Sequence, residues 1–240
     1  EAVTRPNMHF VAIKSVDQQA AMMLHRVRDL LVRQRTMLIN ALRAHMAELG
    51  IIAPQRPQNV LGLIQQLEED SNGGITEVAR SALLSLADQL TSLTQEIRAL
   101  DRKILEWHRS SETSQRLATI PGVGVLTATA MAASVTDPSL FRSGRQFAAF
   151  LGLVPRQNSS GGKERLGRIT KMGDGYLRKL LVVGATAILR RVADTQTRTA
   201  NWIRSLLERK APRLVSVAMA NKTARIVWAL LARGGTYRAA

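Results

Sequence analysis

Ile75-Thr-Glu-Val-Ala-Arg-Ser-Ala-Leu-Leu-Ser-Leu-Ala-Asp-Gln-Leu-Thr-Ser-Leu-Thr-Gln-Glu-Ile-Arg-Ala-Leu-Asp-Arg-Lys-Ile-Leu-Glu-Trp-His-Arg-Ser110 is the stretch that decides the fold. Ala79, Leu83, Leu86, Leu90, Leu93, Ile97, Leu100, Ile104 and Trp107 alternate spacings of four and three, the heptad seam of a coiled coil. As one helix it would be on the order of 54 Å long. Towards the N-terminus, 16–49 is a second helical pattern without Gly or Pro. Leu24, Val27, Leu31, Leu38, Leu42 and Leu49 form its apolar stripe, with Arg26, Arg33, Arg35 and Arg43 around it. Gly50 is a stop signal, Pro54 and Pro57 mark a linker, 60–67 reads as a short helix, and Asn72-Gly-Gly74 ends it. The two long patterns predict an antiparallel helical hairpin, a coiled-coil arm over 16–111. Such an arm spaces domains or joins subunits; the plainer alternative is a two-helix core.

Before the arm, Phe10-Val-Ala-Ile13 reads as a short strand stub after the turn-like Arg5-Pro-Asn7. One strand makes no sheet, so its partners are expected elsewhere. The chain opens at Glu1 without a methionine and shows no signal-peptide pattern, which suggests a fragment. There are no cysteines, which excludes disulfides and thiolate metal sites and suits a reducing compartment. The longest apolar run, 180–189, is about half a membrane span, so no membrane association is expected and a cytoplasmic, nucleoid-associated location is.

The formal charge is +16, and it is segregated. Residues 151–240 carry 18 Lys or Arg against Glu164, Asp174, Asp194 and Glu208, a balance of +14, whereas residues 1–150 balance at only +2. That asymmetry points to a polyanionic partner, nucleic acid above all, for the C-terminal part.

The same part is a run of short helical patterns with two glycine-rich interruptions. Ile120-Pro-Gly-Val-Gly124 precedes the apolar helix 125–134, and resembles the hairpin of helix-hairpin-helix units. Gly122 and Gly124 would let backbone amides reach a phosphate, or merely let two helices pack closely. Asp137-Pro138 marks a turn, 143–150 a short helix, and 175–192, 199–210 and 213–233 three more. Lys222 and Arg225, three apart, share a face of the last one. Trp202 and Trp228 read as core rather than as base-stacking platforms. Between lies the loop Phe150-Leu-Gly-Leu-Val-Pro-Arg-Gln-Asn-Ser-Ser-Gly-Gly-Lys-Glu-Arg-Leu-Gly-Arg-Ile-Thr-Lys-Met-Gly-Asp-Gly175. Ser159 and Ser160 precede two glycines, and Lys163, Arg165, Arg168 and Lys171 follow. A serine there is either a nucleophile on phosphorus, assisted by the cations, or the polar tip of a turn.

Other chemistries fit poorly. His9, His25, His45 and His108 all precede residue 120 and none has metal-ligand spacing, so no metal site is expected in this chain and a Ser-His-Asp triad is hard to build. Asp137 and Glu164 are the only acids between Glu112 and Asp174, too few for a metal-dependent nuclease.

Six motifs occur in order: Ile120-Pro-Gly-Val-Gly124, Phe150-Leu-Gly-Leu-Val-Pro-Arg156, Ser159-Ser-Gly-Gly-Lys163, Leu166-Gly-Arg-Ile-Thr-Lys171, Gly173-Asp-Gly-Tyr-Leu-Arg178 and Ala220-Asn-Lys222. As a set they resemble the C-terminal domain of insertion-sequence-110 family transposases, which include the 1111-type elements and the Piv and MooV invertases. The resemblance implies a RuvC-like domain with a DEDD acidic tetrad, then a coiled-coil arm, then a helical domain with a nucleophilic serine. Here that serine matches Ser160, with Ser159 the alternative. It implies DNA as substrate, a noncoding bridge or seeker RNA as guide, Mg²⁺ on the acids, and a homo-oligomer combining acids and serine from different subunits. Gly122, Gly124, Lys163, Arg165, Arg168, Lys171, Arg178 and Lys222 are then the expected nucleic-acid contacts. The tetrad is expected upstream of Glu1, with 1–15 as the tail of the RuvC-like domain and 112–240 as the serine-bearing domain. This chain alone is therefore expected to be inactive, and mainly α. The rival reading is a non-catalytic DNA- or RNA-binding helical module.

Overall fold

Polar caps and glycines set the helix boundaries. The computed structural model describes residues 12–52 and 75–238, together with Val60, Gly62, Ile64 and Gln65. It is mainly helical, with eight α-helices and one two-stranded sheet among the described residues. The helices are α1 (Val16–Glu48), α2 (Glu77–Ser110), α3 (Glu112–Ala118), α4 (Val125–Ser134), α5 (Gly144–Phe150), α6 (Gly175–Arg190), α7 (Arg198–Leu207) and α8 (Pro212–Arg233). A 3₁₀ turn, Pro138–Leu140, follows α4, and the strands β1 (Pro155–Gln157) and β2 (Leu166–Ile169) lie between α5 and α6. Ser111, Ser143 and Thr197 each accept a backbone N–H of the following helix on the side-chain oxygen, and Asp174 accepts two. The Ser111 cap separates α3 from α2, a break that the periodicity of the long helix conceals.

The described residues fall into two units, 12–22 with 104–238, and Met23–Lys103. In the second, α1 and α2 run antiparallel. Leu42 and Met46 share a core with Leu83 and Leu90, and the Arg28 guanidinium meets the Asp101 carboxylate at the other end. Along α2, Leu83, Leu90 and Ile97, seven apart, are buried, and Ala79, Leu86, Leu93 and Leu100 are half-buried. The α1 stripe differs from the sequence reading. Val27 and Leu49 are exposed, whereas His25, Leu42 and Met46 are buried. The inward positions are 25, 28, 32, 35, 39, 42 and 46, again alternating three and four, but His25, Arg28 and Arg35 interrupt the apolar pattern. Burial and the neighbouring Arg28 charge lower the His25 pKa to about 4.

The first unit is built around α8. Val215, Met219, Ala220, Ala224 and Val227 of that helix are buried with Ala128 and Met131 of α4, Phe147 of α5, Leu177 and Leu181 of α6 and Ile203 of α7. By length and composition α8 could cross a membrane, yet these side chains form the core of a helical unit. The small residues of α4 let it sit at the centre, with Ala128, Ala130, Met131 and Ala133 fully enclosed. Ala21 and Met22, at the start of α1, pack with Ala133 and Trp107. Ala12 and Ile13 are not in a strand, and the rest of the expected stub lies outside the described residues, as do most of the expected helix at 60–67 and the Asn72-Gly-Gly74 turn.

Candidate nucleic-acid interface

The serine loop is a β-hairpin. Its composition of Gly, Ser and basic residues hides two short strands, which pair antiparallel with Pro155 opposite Ile169 and Gln157 opposite Leu166. Gly161 and Gly162 both have positive φ, 56° and 77°, and the Lys163 amide donates to the Ser160 carbonyl at 3.1 Å. That is a two-residue turn of the kind whose twist matches the strands, and it requires left-handed backbone at both central positions. Nothing lies within 4 Å of a Cβ at either glycine, so the turn stands in open space.

The two serines differ. The Ser159 hydroxyl oxygen accepts the Arg165 amide at 3.1 Å and is built into the hairpin. Ser160, at the turn, is exposed, and among the described residues no side chain hydrogen-bonds its hydroxyl. Lys163, Arg165, Arg168 and Lys171 are all exposed along the same hairpin, and none enters an ion pair among the described residues.

The base of the hairpin is locked. At Gly152 (φ 69°) a Cβ would lie 2.2 Å from the Met172 carbonyl oxygen, and at Gly173 (φ 77°) one would lie 1.9 Å from that of Phe150. Only glycine permits this crossing of backbones. Arg178, from the first turn of α6, donates from Nη1 to the carbonyls of Leu151 at 2.9 Å and Met172 at 3.0 Å. Asn221 of α8 donates from Nδ2 to the Leu153 carbonyl at 3.1 Å. Arg178 thus has a structural task that its place in the motif does not announce, and Asn221, inside the motif Ala220-Asn-Lys222, is not among the expected contact residues. That motif is its signal in the sequence.

The Ile120–Gly124 turn divides its glycines between two tasks. Gly122 (φ 78°) packs backbone to backbone on α6, where a Cβ added at Gly184 would lie 1.9 Å from the Gly122 carbonyl oxygen. Close packing accounts for that glycine. Gly124 is the N-cap of α4, exposed, with no side-chain cap and nothing within 4 Å of a Cβ. It leaves the start of α4 open to solvent.

Lys222 stands apart from the hairpin tip. Its ammonium lies 4.6 Å over the Trp202 ring and donates to the Thr199 hydroxyl at 3.3 Å. Burial, then the charges of Arg198 and Arg225, lower its pKa. Trp202 and Trp228 flank the core, and the Trp228 indole N–H donates to the Pro138 carbonyl at 3.1 Å. Among the described residues no group of three or more His, Asp or Glu could hold a metal ion.

Residues 114–200, which include the glycine turn, the hairpin and the Arg178 lock, match the family described as Transposase IS116/IS110/IS902. A putative transposase of Sinorhizobium fredii, y4pF/y4sB, is 44% identical over 241 residues, all of this chain and 62% of its own length. The chain therefore spans less than two thirds of that relative. A probable family 20 transposase of Pseudomonas aeruginosa is 44% identical over 99% of this chain and 71% of its own. The transposase for insertion sequence element IS1328 of Yersinia enterocolitica is 38% identical over 99% and 70%. With 44% and 38% identity to two relatives of which it covers 71% and 70%, the chain belongs to the IS116/IS110/IS902 transposase family.

Proposed function

We propose that these residues are the arm and serine-bearing unit of a DNA transposase, and that Ser160 is its nucleophile. The observation carrying this reading is the contrast at the hairpin tip. Ser160 is exposed on a turn without competing hydrogen bonds and flanked by unpaired cations, whereas Ser159 is engaged by the Arg165 amide. The Ser160 Oγ attacks a backbone phosphorus, an O–P bond forms, the bond to the 3′ oxygen breaks, and a phosphoserine link and a 3′-hydroxyl result. The serine proton leaves to solvent or to a base brought by the rest of the protein, and the departing 3′ oxygen takes up a proton from the same source. Lys163, Arg165, Arg168 and Lys171 neutralise the phosphate and its neighbours.

The Mg²⁺ implied by the family resemblance has no ligand set among the described residues. Guidance by a noncoding RNA, assembly into a homo-oligomer through the coiled-coil arm, and action in the cytoplasm at the nucleoid are parts of the same proposal. All three rest on the resemblance. A second reading, a non-catalytic clamp on nucleic acid, draws support from the absence of any described side chain hydrogen-bonded to Ser160 that could accept its proton.

Covalent trapping separates the two. Full-length protein incubated with its DNA should yield a denaturation-resistant adduct that Ser160→Ala abolishes while binding stays within a few-fold, because one hydroxyl is a small part of a charged surface. Ser159→Ala should retain the adduct. Normal strand exchange by Ser160→Ala would defeat the assignment.

A further inference from the structure

The hairpin tip is not the only basic feature of the first unit. A groove of about 1060 Å³ lies between the base of the hairpin, at Pro155 and Gly167–Ile169, and the exposed side of α8. Arg168, Lys222, Arg225, Arg233 and Arg238 line it, and no acidic residue does. Its floor is apolar, from exposed Leu214 and half-buried Val217 and Ala218. Five cations around an apolar trough, with no carboxylate among them, repel one another until an anion arrives.

The two indoles at the groove show what kind of anion it suits. Lys222 covers Trp202, and the Arg233 guanidinium lies 6.0 Å over Trp228. An indole already occupied by a cation is no platform for a base; it holds the cation in place. Thr199 fixes the Lys222 ammonium from a second side, and Arg225 lies one turn along the same face of α8. The arrangement presents pre-positioned charge without a base-reading surface, which suits a sugar-phosphate backbone irrespective of sequence.

We propose that this groove is a strand-holding site for DNA backbone, with Lys222 and Arg225 as phosphate ligands, separate from the hairpin tip. It rests on the nucleic-acid reading above, but not on Ser160 being the nucleophile. The groove meets the hairpin at its base, at the Pro155–Ile169 pair, whereas the Ser160–Lys163 turn lies at the opposite end of the hairpin.

The test uses the whole chain, a fluorescent 30-base-pair duplex and an RNA hairpin, titrated across potassium chloride concentrations. Lys222→Gln with Arg225→Gln should weaken duplex binding by about tenfold or more and make log affinity against log salt shallower by roughly 2, one unit for each lost contact. The single Arg225→Gln variant, at an exposed position, should lose about half of that slope change with an unaltered melting temperature, which keeps the proposal testable if the double variant folds poorly. Wild-type affinity and slope in Arg225→Gln, alongside a loss in Lys163→Gln with Arg165→Gln, would overturn the groove and leave the nucleic-acid reading standing. Loss confined to the RNA hairpin would overturn the assignment to DNA. No binding of either nucleic acid by wild type would sink both readings together.

Discussion

Arg178 illustrates how a basic residue inside a family motif can serve the fold before it serves a ligand. Its Nη1 is shared between two carbonyls that the Gly152/Gly173 crossing leaves side by side, and guanidinium hydrogen bonds of this type contribute about 1.5–3 kcal/mol each. Arg178→Ala is expected to lower the stability of the helical unit by about 2 kcal/mol in a urea titration and to loosen the hairpin. Loss of DNA binding with unchanged stability would instead make Arg178 a phosphate ligand. Sequence alone could not decide this, because an arginine after Gly-Asp-Gly-Tyr-Leu looks the same whether it faces a carbonyl or a phosphate. Ser160 was more legible. Two glycines after a serine demand a tight turn, and a turn exposes the residue that opens it. The hydrogen bond that distinguishes Ser159 from Ser160 depends on strand register, which places the Ser159 hydroxyl opposite the Arg165 amide.

At the scale of elements, the α2 seam was readable because apolar residues occupy every inward position. The α1 seam was not, since His25, Arg28 and Arg35 fall on it and the eye follows the leucines instead. Arg28 is tolerated there because it pairs with Asp101 across the hairpin. The hairpin strands went unread for a related reason: at three and four residues, with almost every side chain exposed, they carry no hydrophobic alternation. The α2 seam is filled by α1, so it is not the surface left for a second copy. Another row on α1 is. Met23, Val27, Leu30 and Met37 are exposed, and with Gln34 they again alternate four and three. Self-association, if it runs through the arm, is expected to use this row. Sedimentation should show Met37→Glu shifted towards monomer with stability unchanged. Leu90→Ala, in the hairpin core, should instead cost about 2–5 kcal/mol without a specific effect on assembly. A monomeric wild type would remove the arm from any account of oligomerisation.

Among the described residues the two larger hydrophobic cores, one around Leu42, Met46, Leu83 and Leu90 and one around α8, differ in their response to acid. His25 is buried and neutral in the second unit, the Met23–Lys103 hairpin, with its pKa lowered to about 4 from 6.5 by burial and then by Arg28. The unfolded chain takes up a proton near pH 6.5 that the folded hairpin refuses until about pH 4. Between those values the unfolded state binds more protons, so hairpin stability falls as the pH falls; above pH 6.5 it is level. At 1.36 kcal/mol per pH unit, the full effect is about 3 kcal/mol. Calorimetry of the whole chain is therefore expected to resolve two transitions rather than one. On going from pH 7.5 to pH 5, one should move down by several degrees, and His25→Leu should reduce that movement. Phe147→Ala, in the core around α8, should lower the other transition and leave the acid-sensitive one in place, because a large buried ring lost from one core costs about 3–5 kcal/mol there. A single transition shifted equally by both substitutions would show that the two cores melt as one cooperative body.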